Sequence, residues 1–150
     1  MPAEVTLPAD VHPDNKVHVG HRLALLARQM VHGERLVASG PIYAGSSSEA
    51  GALRIRFSET GCGLTIGQAP WVARGVQPLP TDRLLGFFVA GADRNWVAAD
   101  ARIDGETVVV SSPVVPHPKA VRYGWAHSPR VNLSNRAGLP AAPFRTDDWN

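Results

Sequence analysis

The sequence predicts a mixed fold, in which a loop and one helix at the N-terminal end precede an antiparallel β-sandwich. Three observations support this fold class. Apolar residues recur at helical spacing in one early segment only. After about residue 43 the apolar period changes to two, as in strands that bury one face. The 14 glycines and 13 prolines favour short strands joined by many turns over a helical bundle.

The helix is predicted over residues 14–32. Four apolar residues share one stripe along it: Val19, Leu23, Leu26 and Met30. Pro13 suits the start of a helix, where its missing N–H costs nothing. Gly33 is typical of the residue that follows the last helical turn.

Short strands are predicted wherever apolar and polar residues alternate. Asp104 and Gly105 form the strongest hairpin signal and join two of these strands. The predicted strands cover 53–57, 62–66, 84–90, 99–103, 107–111 and 121–125, and an ordered tail follows from 132. Because the period changes between 34 and 43, the chain is predicted to divide into residues 1–33 and residues 34–150.

Composition argues against several classes of function. The formal net charge is only +2, although the pI is about 9.1, and the basic residues do not cluster, so no nucleic-acid partner is expected. No apolar run approaches the roughly 18–20 residues that cross a bilayer, so no membrane partner is expected either. The single cysteine, Cys62, excludes an internal disulfide and is expected to be buried. Localisation stays unknown: the N-terminus lacks a signal-peptide layout, which is informative only if Met1 is the natural start.

An acid and an imidazole stand together just before the helix. Asp10 and His12 are two residues apart, so in an extended segment their side chains point to the same side. A hydrolase that activates a serine or a water needs an imidazole to accept a proton and a carboxylate to orient the ring. Asp10 and His12 are therefore the candidate catalytic residues, although such a pair by itself is more typical of a surface loop.

A set of segments in one order carries a family resemblance. These are Asp10-Val11-His12-Pro13, Asn15-Lys16, Val19-Gly20, Arg22-Leu23-Ala24, Gly40-Pro41-Ile42-Tyr43, Gly86-Phe87, Ala90-Gly91-Ala92-Asp93-Arg94, Ile103-Asp104-Gly105, Ala120-Val121-Arg122-Tyr123-Gly124-Trp125, Asn132-Leu133, Gly138-Leu139-Pro140 and Pro143-Phe144-Arg145-Thr146-Asp147-Asp148-Trp149. Together they resemble the C-terminal portion of the sialate O-acetylesterases, which are members of the SGNH (GDSL-like) esterase superfamily. The resemblance covers residues from about 9 to 149.

The resemblance implies a carboxylic ester hydrolase that removes O-acetyl groups from sialic acid or related acetylated sugars. In such an enzyme a serine attacks the acetyl carbonyl, and an oxyanion hole stabilises the tetrahedral intermediate. His12 matches the family's general base. Asp10 departs from the usual Asp-x-x-His spacing by one residue, so it either orients His12 or only caps the turn. The resemblance implies no cofactor and no metal.

The serine nucleophile that the resemblance requires is missing from this sequence. No Gly-Asp-Ser segment is present, and the Gly and Asn blocks of the oxyanion hole are missing too. Ser46, Ser47 and Ser48 are expected in a loop that follows His12, which is the wrong chain order, and no strand-to-helix elbow holds them. The sequence therefore predicts a fragment: residues 1–33 end an SGNH hydrolase domain, and residues 34–150 form its C-terminal domain. The expected partner is the missing N-terminal hydrolase domain, and the fragment alone is expected to be inactive.

The histidines offer an alternative. His18 and His21 are three residues apart on the helix and, with His12, invite a metal site. No carboxylate or further imidazole lies at a matching helical offset, so solvated histidines are expected instead.

The tryptophans offer an alternative function, that of a non-catalytic carbohydrate-binding or structural β-sandwich module. The four residues are Trp71, Trp96, Trp125 and Trp149. Burial is the other interpretation, because Trp125 alternates in step with Val121 and Tyr123.

Overall fold

The described residues contain the predicted helix, the six predicted strands in their predicted order, and four further strands that the pattern did not predict. A computed structural model describes residues 16–67, 82–127 and 129–149. Helix α1 spans Lys16–His32, and its predicted first two residues lie outside the described ones. The strands within the described residues are β1 (Ile42–Glu49), β2 (Ala52–Ser58), β3 (Leu64–Ile66), β4 (Phe87–Ala90), β5 (Trp96–Ala98), β6 (Asp100–Asp104), β7 (Thr107–Ser111), β8 (Ala120–Tyr123), β9 (Leu133–Asn135) and β10 (Phe144–Arg145).

Two four-stranded antiparallel sheets enclose one apolar core. The first sheet has the order β1-β2-β7-β6, the second has the order β10-β8-β4-β5, and β3 pairs with β9 separately. The core takes alternate residues from both four-stranded sheets: Leu53, Ile55, Val108 and Val110 from the first, and Phe87, Val89, Val121, Tyr123 and Phe144 from the second. Because successive side chains of a strand point to opposite faces, the intervening residues form the outer faces. The predicted β-sandwich is confirmed.

Tyr123 is the polar residue at the centre of this core. It is completely buried, and its ring centroid lies 4.6 Å from that of Phe87. The phenol oxygen accepts a hydrogen bond of 3.0 Å from the backbone N–H of Leu133, which begins β9. Burial raises the pKa of Tyr123 well above its ordinary value, so the group stays neutral.

The segment between α1 and β1 is held to the sandwich by a buried asparagine. Asn135 donates from Nδ2 to the carbonyl oxygens of Ser39 (3.0 Å) and Glu59 (3.2 Å). Its Oδ1 accepts from the backbone N–H of Leu139 at 3.0 Å. Since Asn135 is fully buried, these bonds satisfy groups that water does not reach. They therefore fix where the chain arrives from α1.

Two predictions about burial are wrong. Cys62 is exposed, because it lies in a turn just before β3 rather than within a strand. Trp125 is 50% exposed. Strand β8 ends at Tyr123, and Gly124 then adopts a positive φ of 64°, which interrupts the alternation that pointed Trp125 into the core.

Candidate functional site

The predicted catalytic corner lies outside the described residues. Asp10 and His12 both precede Lys16, where the described part begins. Ser46, Ser47 and Ser48 were expected in a loop, but they lie in strand β1. There, Ser46 Oγ is 3.2 Å from the phenol oxygen of Tyr43. None of the three serines bonds to a histidine within the described part of the chain. The catalytic roles of His12 and Asp10 therefore stay predictions.

The metal alternative finds no cluster in the described segments. His18 and His21 lie on α1. Across 16–67, 82–127 and 129–149, no group of three or more His, Cys, Asp and Glu side chains is arranged to hold a metal ion. The same segments contain no helix with the length and apolar character needed to cross a membrane.

Helix α1 exposes its apolar stripe. None of its residues is buried, and Leu23, Leu26 and Met30 are 63%, 37% and 79% exposed. The helix is tied to the chain that follows by Arg28, which donates to Glu34 at 2.9 and 2.5 Å. An exposed apolar stripe of this kind is typical of interaction surfaces.

The outer face of the second sheet carries a group of guanidinium and indole side chains, which we call the Arg–Trp cluster: Trp96, Arg122, Trp125, Arg145 and Asp147. Arg122 lies beside Arg145 on β10 and beside Phe88 on β4. Its guanidinium carbon is 4.2 Å from the Trp96 ring centroid and 6.0 Å from that of Trp125. Arg145 lies over the opposite part of the cluster, 5.6 Å from the Trp125 centroid. These distances allow cation–π attraction along the whole row.

Asp147 holds the Arg–Trp cluster in place. Arg122 donates from Nε and Nη2 to its two carboxylate oxygens at 2.9 and 2.7 Å, and Arg145 is 3.8 Å away. The Asp147 side chain has no exposed surface. The hydrogen bonds from Arg122 hold the pKa of this carboxyl below its ordinary value. The bidentate pair fixes the plane of the guanidinium, which lies over the Trp96 ring.

The low pKa of Asp147 predicts a specific loss of stability in acid. The ion pair stabilises the fold above the unfolded-state pKa of about 4, and this contribution is lost as the pH falls through the lower folded-state value. We expect Asp147→Asn to have a lower Tm than the wild type at pH 7, and a smaller further decrease between about pH 5 and pH 3. Thermal unfolding followed by circular dichroism over a pH series measures both.

The exposed neighbour Asp148 supplies the control for this experiment. Asp104 and Glu34 also have lowered pKa values through Arg54 and Arg28, so acid destabilises every variant to some extent. The contribution of Asp147 is therefore the difference between the pH dependence of Tm in Asp147→Asn and that in Asp148→Asn. Parallel pH profiles for Asp147→Asn and Asp148→Asn would contradict the prediction.

A cleft opens beside the Arg–Trp cluster on the same side of the second sheet. Its volume is about 410 Å³. Phe88, Ala98 and Trp125 line it from the sheet, while Leu85, Pro129 and Arg130 line it from the connecting segments. Phe88 and Trp125 are 39% and 50% exposed, so an apolar surface is available to a ligand. The sequence analysis named Trp125 as a candidate for sugar binding but did not place this cleft, because no periodic pattern reports which strand edges meet.

The C-terminal residues pack against the cluster, as the predicted ordered tail requires. The rings of Trp149 and Trp96 have centroids 5.7 Å apart, and the Arg94 guanidinium lies 5.4 Å from the Trp149 centroid. The backbone N–H of Val121 donates to Thr146 Oγ1 at 2.9 Å. Trp96 is therefore partly covered by its neighbours, whereas Trp125 stays half exposed. The remaining tryptophan, Trp71, lies outside the described residues.

Comparison with known proteins relates this fold to esterases of carbohydrates. A crystal structure of a carbohydrate acetylesterase from Xanthomonas citri matches 97% of this chain, with a TM-score of 0.82 and 43% sequence identity. The chain spans 31% of the length of that enzyme. No protein-family model and no curated protein matches the chain. The predicted likeness to an esterase of acetylated sugars is confirmed for the matched segment.

Proposed function

We propose that this chain forms the C-terminal part of a carbohydrate acetylesterase and supplies its general base, His12. The observation that carries the proposal is the 43% identity to the Xanthomonas citri carbohydrate acetylesterase over 97% of the chain. An identity of this size over a shared fold supports a shared reaction class, although fold alone would not. The resemblance to the sialate O-acetylesterases adds the finer substrate: an O-acetyl group on sialic acid or a related sugar.

The proposed reaction divides the catalytic groups between two parts of the enzyme. A serine outside this chain attacks the acetyl carbonyl, and His12 accepts the serine proton as the new bond forms. As the tetrahedral intermediate breaks its bond to the sugar, His12 gives that proton to the departing sugar oxygen, which leaves as a hydroxyl, and an acetyl-enzyme remains. Water, activated by the same imidazole, releases acetate and restores the serine. Asp10 either orients the His12 ring or caps the turn before α1.

We assign residues 1–33 to the hydrolase domain and residues 34–150 to an accessory β-sandwich. The exposed stripe of α1 supports this division, because Leu23 and Met30 find no burial against the sandwich. Packing them against the hydrolase domain would remove this apolar surface from water and bring the foot of α1, with His12, to the serine. Hydrogen exchange at the α1 amides that is equally fast with and without the hydrolase domain would refute the assignment.

A chimera tests the proposed function. This chain replaces the matching part of the Xanthomonas citri acetylesterase, and acetate release is followed with O-acetylated sialic acid and with an acetylated neutral oligosaccharide. We expect turnover by the chimera and none by the purified chain 1–150. Turnover by chain 1–150 itself, abolished in His12→Ala, would contradict the division of the catalytic groups. Turnover restricted to the neutral sugar would remove the sialate assignment and leave the acetylesterase assignment intact.

A further inference from the structure

We propose that the cleft beside the Arg–Trp cluster is a non-catalytic binding site for an acidic sugar, with the pyranose ring on Trp125 and its carboxylate near Arg130. The choice of a sugar as the ligand rests on the proposed function. The geometry of the cleft stands independently of it. Its volume of about 410 Å³ falls in the range of small-ligand sites and suits one or two sugar units.

The aromatic part of the site is already formed. Trp125 is half exposed, and Phe88 presents a further apolar surface within the same cleft. One face of a pyranose carries only C–H groups, which are apolar and slightly positive, whereas the face of an indole is electron-rich. Such a ring therefore covers Trp125 favourably. Its hydroxyl groups stay in water at the mouth of the cleft.

The position of Trp125 depends on two neighbouring features. The positive φ of Gly124 turns the chain out of strand β8, so the indole rises from the sheet instead of entering the core. The guanidinium groups of Arg122 and Arg145, which are paired neighbours on β8 and β10, lie 6.0 and 5.6 Å from the ring centroid of Trp125. Because Asp147 holds Arg122, this neighbour of the indole is fixed before a ligand binds.

The charge around the cleft selects an anionic ligand. Arg130 lines the wall and forms no ion pair with any residue that the structure describes. The acidic group of the cluster, Asp147, is enclosed and neutralised by Arg122 and Arg145. Among the described residues that line the cleft, the charged side chain is that of Arg130, so these residues present a positive charge to a ligand. A sugar carboxylate complements it and accepts charge-assisted hydrogen bonds from a guanidinium group.

The competing explanation for an exposed aromatic face is contact with the hydrolase domain. Helix α1 already offers a convex apolar stripe for that contact, and it continues directly from the segment that carries His12. The face of Trp125 differs from it in being concave and bordered by arginine. A small polar ligand fits a concave site of this kind better than a second domain does.

Direct binding to the full chain 1–150 tests the proposal, with the methyl glycosides of N-acetylneuraminic acid and of galactose as the acidic and neutral probes. We expect calorimetry and saturation-transfer NMR to report binding of the acidic probe at least about fivefold tighter than the neutral one. Trp125→Ala should weaken both probes about tenfold or more. Arg130→Gln should reduce the acidic probe to the affinity of the neutral one.

Arg102→Gln is the matched control, because Arg102 is exposed on the outer face of the other sheet. It should bind both probes as the wild type does. Equal affinities for the two probes, or unchanged binding by Trp125→Ala in a variant with wild-type circular dichroism, would overturn the proposal. A failure of chain 1–150 to bind either probe would also overturn it. Protection of Trp125 from quenching in the chimera would then identify this face as a domain interface. Binding needs no nucleophile, so none of these outcomes depends on turnover by the chimera.

Discussion

Replacing His12 with alanine should lower acetate release by the chimera at least about 10³-fold, because the variant leaves the serine without a proton acceptor. A serine hydroxyl is a weak nucleophile until a base removes its proton as it attacks. Binding and the oxyanion hole do not depend on the imidazole, so residual activity above the uncatalysed rate should remain. The loss should therefore appear in kcat, with KM little changed. Steady-state kinetics with one acetylated sugar separates the two constants.

His21→Ala is the control for that variant, since His21 is an exposed histidine on α1. Its kcat should equal that of the unmodified chimera. Asp10→Asn then decides between the two roles of Asp10. If the carboxylate orients the imidazole, kcat should fall about 10²-fold or more, and if it caps the turn, kcat should change little. Wild-type kcat in a folded His12→Ala chimera would exclude His12 as the base.

Six strands were predictable because each follows a local rule, whereas β1, β5, β9 and β10 were not predicted. Asp104 and Gly105 predicted a hairpin, and β6 and β7 pair across it with Asp104 opposite Thr107. On β2, Leu53 and Ile55 are buried while Arg56 is exposed, as a period of two requires. The start of a predicted strand was less exact where the sequence is apolar throughout and does not alternate. The predicted strand 84–90 begins only at Phe87, since Gly86 has a positive φ of 87°.

The candidate binding face was beyond the reach of sequence periodicity. Arg122 and Asp147 are 25 residues apart, and they meet only because β10 pairs with β8. The alternation of Val121 and Tyr123 predicted a buried Trp125, but a rule of alternation holds only while the strand continues. The positive φ of Gly124 ends the alternation just before Trp125, so the rule does not apply to that residue. Similarly, the stripe on α1 was correctly read as helical, yet the pattern does not name the body that covers it.

Gly40 illustrates a residue whose role only the structure reveals. In the sequence, Gly40 and Pro41 punctuate the passage from the helix to the first strand. In the structure, a Cβ at position 40 would lie 1.9 Å from the carbonyl oxygen of Pro140 and 2.8 Å from that of Leu139. Both obstacles are backbone atoms. Hydrogen bonds on both sides of Gly40 hold its segment close to Pro140. Asn135 donates to the Ser39 carbonyl, and the backbone N–H of Ala142 donates to the Pro41 carbonyl at 3.0 Å.

Gly40→Ala should therefore be among the most destabilising single substitutions in this chain. To admit the methyl group, the backbone must separate at a point where hydrogen bonds close it on both sides, so the loss includes those bonds as well as the packing. We expect a cost above about 4 kcal/mol, which is a large part of a typical stability of about 5–15 kcal/mol. Thermal unfolding of chain 1–150 should show a Tm lower by about 10 °C or more.

Gly20→Ala is the matched control, because a Cβ at Gly20 meets nothing within 4 Å and alanine favours a helix by about 1 kcal/mol over glycine. It should leave the Tm of the β-sandwich unchanged, since α1 buries none of its residues. If Gly40→Ala is too unstable to purify, the soluble fraction on expression replaces the Tm, with Gly20→Ala again at the wild-type level. Equal Tm values or equal soluble fractions for the two variants would contradict the close approach of residues 40 and 140. The segment between α1 and β1 would then follow another path.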